Sequence, residues 1–202
     1  NTPEFNSYGV SFPGFPGIMI GFNEDIAWGE TNVGQDVEDT FVMHWANEEK
    51  TKYLLDGKEK DVKIRIEEIK VKGGKTILDT IKYTHWGPVY ATSSDGKHDL
   101  AMRWLCHDEP DSSEYRVFID AMKCKSYDDY LRATSVYISP AQNFGFASVS
   151  GDVALRVNGR FPAKYDQDGR FVEHGDQSAH GWLSWIPRDQ NPQILNPQRG
   201  FI

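Results

Sequence analysis

The residues best able to do chemistry follow a glycine- and proline-rich opening. Asn32 closes a short apolar stretch, and the run Asp36-Val37-Glu38-Asp39 brings three carboxylates into four positions. Closely spaced carboxylates with a backbone carbonyl supply part of the oxygen shell that a hard cation requires. The same run also reads as an acidic solvated loop. Asn32 by itself reads as a turn residue. The six histidines, His44, His85, His98, His107, His174 and His180, are dispersed, without the i, i+4 pairing of a helical zinc site. The sequence holds neither a Gly-x-Ser-x-Gly nucleophile elbow nor a phosphate-binding glycine loop. Acidic residues are numerous enough for a carboxylate-pair glycosidase, but spacing along a chain does not show two carboxyls facing one another. Another class stays open: a non-catalytic, calcium-dependent β-rich binding domain. In it Trp28, Trp45, Trp86, Trp104, Trp182 and Trp185 would stack on sugar rings beside the acidic loop.

The elements that must carry these residues are mostly strands. Ile18 to Gly21 and Ile26 to Thr31 flank a turn at Asn23-Glu24-Asp25, and Thr40 to Trp45 continues in β-favouring types. Tyr53-Leu54-Leu55 ends at Asp56-Gly57, a hairpin signal. Val62, Ile64 and Ile66 alternate with charged residues, and Ile69 and Val71 resume in the opposite phase. That slip at Glu67-Glu68 predicts a bulge or a change of face before the Gly73-Gly74 turn and the strand Ile77 to Tyr83. Leu100 to Cys106 reads as a strand. Ser113 with Glu114 opens a helical face of Tyr115, Phe118, Ile119 and Met122, and Ser126 with Asp129 resembles a capping box. Asn143 to Ser150 and Val153 to Asn158 read as a hairpin, and the remainder from Arg160 as loop.

The 202 residues suffice for one large domain or two small ones. One domain over 1–202, with a hairpin excursion at 51–84, is the simplest reading. Aromatics at 13% support a packed core. A net charge of -8 argues against nucleic acid or an anionic membrane as partner. No apolar segment is long enough to span a bilayer. Cys106 and Cys124 define no framework; two buried free thiols are expected, with a disulfide as the alternative. The chain opens at Asn1 without an initiator Met, so both ends read as cut from a longer polypeptide.

Several motifs, in order, carry a resemblance. Gly9 to Asn32 fits Gly-x-x-x-Pro-Gly-x-Pro, then Ile-Gly-x-Asn, then Ala-Trp-Gly-x-Thr. Thr84-His85-Trp86-Gly87-Pro88-Val89 fits a His-Gly-Pro strand with Trp86 inserted, and Met102-Arg103-Trp104 an Arg-Trp strand. Gln142 to Ala147 with Ser150-Gly151-Asp152, a looser Gly159-Arg160-Phe161-Pro162, and Asn196-Pro197-Gln198-Arg199-Gly200-Phe201-Ile202 follow. This pattern resembles the penicillin acylase (penicillin amidase) family of N-terminal nucleophile hydrolases, across nearly the whole chain.

The resemblance implies an α+β fold, β-rich and Ntn-hydrolase-like, an αββα stack with antiparallel sheets, incomplete in this segment. It implies an amide-bond hydrolase whose nucleophile is the serine at the start of a mature β-chain, paired with an α-chain from the same precursor, periplasmic or secreted, and acting on a small acyl amide. The segment then reads as an interior part of the β-chain, without nucleophile or downstream oxyanion Asn, inactive alone and prone to self-association through uncovered apolar surface. Asn32 takes the position whose backbone N–H donates to the oxyanion. Met19, Ile20, Phe118 and Gln142 fall near the acyl pocket, although Ile20 and Phe118 suit an ordinary core equally well. Glu30 falls near the substrate, where a carboxylate favours a positively charged group. Asp36 and Asp39 through side chains, and Glu38 and Gly169 (beside Asp168) through carbonyls, fall on a calcium loop, with weak or no calcium binding expected in the isolated segment.

Overall fold

The structure is a computed structural model that describes residues 6–108, 114–165 and 169–202. Ser113 and Asp168 lie outside the described residues. Strands β1 (Tyr8–Val10), β2 (Ile20–Phe22), β3 (Ile26–Asn32) and β4 (Glu38–Val42) come first. Two hairpins follow, β5 (Lys52–Leu55) with β6 (Lys58–Asp61) and β7 (Lys63–Ile69) with β8 (Ile77–Tyr83). Strands β9 (Val89–Thr92) and β10 (Asp99–Trp104) precede helices α1 (Tyr115–Ala121) and α2 (Tyr127–Thr134). Then come β11 (Gln142–Ser148), β12 (Val153–Asn158), β13 (Pro162–Ala163), β14 (Glu173–His174), β15 (Ser184–Trp185) and β16 (Gln193–Leu195). The class is the expected β-rich α+β with antiparallel sheets. The chain sorts into two compact units, Asn1–Gln35 with Glu109–Phe161 and Ile186–Ile202, and Asp36–Asp108 with Pro162–Trp185.

The first unit is an antiparallel sheet in the order β1-β2-β3-β11-β12-β16, with α1 and α2 packed on it. Ile26 and Trp28 from β3 and Phe144 and Phe146 from β11 meet Val117, Phe118 and Ala121 from α1 and Tyr130 from α2. Truncating one of these aromatics costs about 3–5 kcal/mol, because the hole cannot fully collapse. Asn23 shows why the β2–β3 turn forms here. Its Oδ1 accepts from the Asp25 and Ile26 N–H groups, both at 2.8 Å, a local side-chain closure typical of Asn. Its Nδ2 donates to the Met122 and Cys124 carbonyls, which ties the turn to the end of α1. Ser126 caps α2 as expected, its Oγ accepting from the Asp129 N–H at 3.2 Å. The buried face of α1 is Val117, Phe118 and Ala121, with Met122 just beyond; Tyr115, expected on it, is exposed.

In the second unit β4 and β9 pair antiparallel with β10, and β14 pairs parallel with β4. Its core holds Phe41, Met43, Tyr53, Leu55, Trp86 and Ala101. The Phe41 and Trp86 rings stack with centroids 3.8 Å apart, and Trp86 Nε1 donates to the Gly175 carbonyl at 2.8 Å. Position 87 demands glycine: its φ is +134°, and a Cβ there would fall 2.1 Å from the Met102 carbonyl oxygen. Asp56 and Gly57 both take positive φ, as a two-residue hairpin of this twist requires.

Several expectations are corrected. Of the two outcomes expected at Glu67-Glu68 the change of face occurs and the bulge does not: β7 and β8 pair in one unbroken register from Lys63 opposite Tyr83 to Ile69 opposite Ile77, so Ile64 and Ile66 lie on one face and Ile69 on the other. The strand is mostly exposed, so its apolar phase had no buried face to obey. Strand β4 spans Glu38–Val42, earlier than the expected Thr40 to Trp45. Both cysteines are free, but Cys106 is exposed and only Cys124 is buried.

Candidate functional site

A cavity of about 1000 Å³ opens in the first unit. Its walls come from the segment joining β1 to β2, from β3 and α1, and from the start of β11. Trp28 Nε1 donates to the Ile18 carbonyl at 3.1 Å, and the Met19 N–H donates to the Val10 carbonyl at 3.0 Å, which fixes the joining segment. Phe15 from this segment meets the Phe118 ring edge-on at 5.3 Å. Met19, Ile20, Glu30, Phe118 and Gln142, drawn from four separate stretches of chain, all line this one cavity.

Two acidic side chains reach the cavity, and they differ. Glu114 accepts hydrogen bonds from the N–H groups of Ile138 and Ser139, the latter at 2.9 Å. Glu30 Oε1 is buried without a partner among the described residues. Desolvation pushes the Glu30 carboxyl up to about 8, so it is largely protonated at neutral pH. The remaining wall is dominated by side chains such as Phe12, Met19 and Ile20.

Strand register decides where Asn32 turns its backbone. The Val33 N–H donates to the Ala141 carbonyl at 3.2 Å, and Asn32 lies opposite Gln142. Hydrogen-bonded and non-hydrogen-bonded pairs alternate along an antiparallel ladder. Asn32 and Gln142 are therefore a non-hydrogen-bonded pair, and the Asn32 N–H faces away from β11. On that side β2 pairs with β3 at Ala27 and Trp28, and no further among the described residues. The Asn32 side chain does not line the cavity; its Oδ1 accepts from Gln142 Nε2 at 3.3 Å.

In the second unit Asp36, Asp39 and Gly169 meet, but around an ammonium group. Lys164 Nζ lies 2.9 Å from Asp36 Oδ2 and 2.8 Å from Asp39 Oδ1. Trp182 Nε1 donates to Asp39 Oδ2. Glu38 sits opposite Trp104 beside the bond from the Leu105 N–H to the Val37 carbonyl, so its carbonyl faces away from β10. A calcium ion does not fit this arrangement as it stands, because the point shared by the carboxylates already holds a cation. The dispersed histidines also partly converge. Donor atoms of His44, His174 and Asp176 lie within 4.8 Å of one another, brought together by the parallel β14–β4 pairing. His44 Nε2 and Asp176 Oδ1 are 3.8 Å apart, an ion pair when the imidazole is protonated.

The whole chain, residues 1–202, matches the family described as Penicillin amidase. The chain belongs to the penicillin amidase family. Acyl-homoserine lactone acylase QuiP of Pseudomonas syringae pv. tomato is 25% identical over 100% of this chain and 24% of its own length. Penicillin G acylase of Escherichia coli is 27% identical over 100% of this chain and 26% of its own length. The chain thus spans about a quarter of the length of these curated relatives. A thermostable penicillin G acylase from Alcaligenes faecalis superposes with a TM-score of 0.87, over 99% of this chain and 36% of that one, at 24% identity. That likeness establishes a shared fold.

For this penicillin amidase family chain, sequence reasoning missed Lys164, and it read Trp182 only as a ring for stacking on sugars where its indole N–H in fact meets Asp39. Lys164 stands 125 positions from Asp39, and the Pro162-Ala163-Lys164 run carries no local signal. Glu114 announced only a helix start; its role of receiving two backbone N–H groups near residue 138 follows from tertiary contact.

Proposed function

We propose that the whole protein hydrolyses the amide bond of a small acyl amide, and that this segment builds the acyl pocket and one oxyanion donor. The observation carrying this is the largely apolar cavity of about 1000 Å³ whose wall residue Gln142 is the cross-strand partner of Asn32. A pocket of that size suits an acyl chain or aryl-acetyl group. The Asn32 N–H, left unused by the β3–β11 ladder, has the character wanted of a donor to a tetrahedral oxyanion. Among the described residues, the hydroxyls of Ser11 and Ser139 line the cavity without a histidine or lysine beside them to act as base, and in this reading the activated nucleophile belongs to the rest of the protein. Relatives are named acyl-homoserine lactone acylase and penicillin G acylase.

Glu30 adds one polar point to the apolar wall. A carboxyl held near 8 pairs readily with an amino group on the acyl chain, whose positive charge would draw the proton off it. In this reading an α-chain from the same precursor covers apolar surface such as Tyr8 and Val10 on edge strand β1, and the enzyme is periplasmic or secreted. The test is a panel of acyl amides offered to the purified full-length protein: long-chain acyl-homoserine lactones, phenylacetyl amides and their amino-substituted counterparts. Release of the free amine, followed by mass spectrometry, is the expected result. Absence of release across the panel sinks the proposal.

A further inference from the structure

We propose that Lys164 supplies, as part of the chain, the positive charge that the acidic loop would otherwise draw from a divalent cation, so that this protein does not depend on calcium. The inference rests on family membership and on the loop's geometry, and not on any choice of acyl substrate.

Geometry carries it. Nζ of Lys164 is placed 2.8 Å from each Asp39 carboxylate oxygen and 2.9 Å from Asp36 Oδ2. A calcium ion at that point would seek six to eight oxygens at about 2.3–2.6 Å. The ammonium instead donates hydrogen bonds to oxygens at ordinary distances, in the manner of a charge-assisted contact. Burial shows that this is no surface encounter: the side chains of Lys164 and Asp39 are 8% and 2% exposed.

The surroundings are shaped to an ammonium. Trp182 spends its indole N–H on Asp39 Oδ2, and Lys164 Nζ lies 5.8 Å from the Trp182 ring centroid, within cation–π range. Gly169 closes the other side with φ +86°, and a Cβ there would lie 2.7 Å from Nζ and 2.7 Å from Asp39 Oδ1. Asp36 remains the half-open ligand, its side chain 62% exposed. Calcium could enter only by displacing Nζ, leaving a nearly buried ammonium beside a divalent charge.

Calcium titration and thermal unfolding of the full-length protein test this. In 1 mM calcium (about that level covers extracellular modules) and in EGTA, the wild-type midpoint is expected to agree within about 1 °C. Lys164→Ala is expected to lower the midpoint by about 2 °C or more, because it strands a buried carboxylate, and calcium is expected to restore part of the loss. A wild-type midpoint that falls by several degrees in EGTA overturns the proposal, as does stoichiometric submillimolar calcium binding by calorimetry. A Lys164→Ala protein as stable as Lys72→Ala, an exposed control, overturns it too. If Lys164→Ala does not fold, the wild-type comparison still decides.

Discussion

Lys164 holds Asp39 through an ammonium–carboxylate contact at 2.8 Å that bridges two stretches of chain far apart in sequence. Because Asp39 is buried, removing it leaves a cation without its main partner. Asp39→Ala is expected to cost about 3–5 kcal/mol in urea unfolding, the range for breaking a buried pair. Asp36→Ala, on the exposed side of the same cluster, is expected to cost less than about 1 kcal/mol. Equal costs at the two positions would show that burial does not govern this cluster.

Glu30 ties stability to pH with an uncommon sign. Its folded-state value is raised to about 8 from 4.5, so the folded protein keeps a proton that the unfolded chain gives up. Stability linked to this group is therefore full below about pH 4.5, falls as pH rises between the two values, and is flat above about 8. Glu30→Gln removes the dependence. The variant is expected to gain roughly 2 kcal/mol over wild type between pH 5 and pH 8, after discounting the full shift for partial exposure. Urea midpoints at the two pH values measure it; a gain of the opposite sign would place the group below its usual value.

Asn32 separates a backbone role from a side-chain role. If its N–H is the donor, Asn32→Ala in the full-length protein keeps the amide and changes kcat by less than about tenfold. Loss of a true side-chain oxyanion donor costs about 10²–10³ in kcat. Steady-state kinetics on a reactive acyl amide distinguish the two, and a loss in the larger range would move the role to the carboxamide.

The two thiols are expected to react on different timescales. Cys106 is exposed, whereas Cys124 is buried, its Sγ donates to the Asp120 carbonyl at 3.3 Å, and burial pushes its thiol up to about 12. A thiol reagent is expected to modify Cys106 in the native protein and Cys124 only on unfolding. Peptide mapping after timed labelling reads this directly, and early modification of Cys124 would contradict its burial.

Local chemistry was legible wherever one short stretch decides the outcome. Asn23, Asp56-Gly57 and Ser126 with Asp129 each act through their own neighbours, and each turn or cap lies where its residue types point. The motif order led to the family, and Met19, Ile20, Phe118, Gln142 and Glu30 line one cavity. What escaped was set by contact between distant segments. Lys164 reaches Asp39 through the β13–β15 pairing that also places Trp182 nearby, and Glu114 meets Ile138 with both helices between them in sequence. The β7–β8 alternation left a bulge and a change of face both open, because it picks one register only where one face is buried.

That hairpin has a practical consequence. Gly73 turns at φ +74° with open space around it, and much of both strands stands in solvent. Its tip makes little of the packing that holds the second unit together, whose core lies at Phe41 and Trp86. Exposed tips of this kind are where chains accept foreign sequence. The Gly73-Gly74 junction is thus a natural attachment point for a tether to a solid support, leaving the residues of the first unit's cavity untouched.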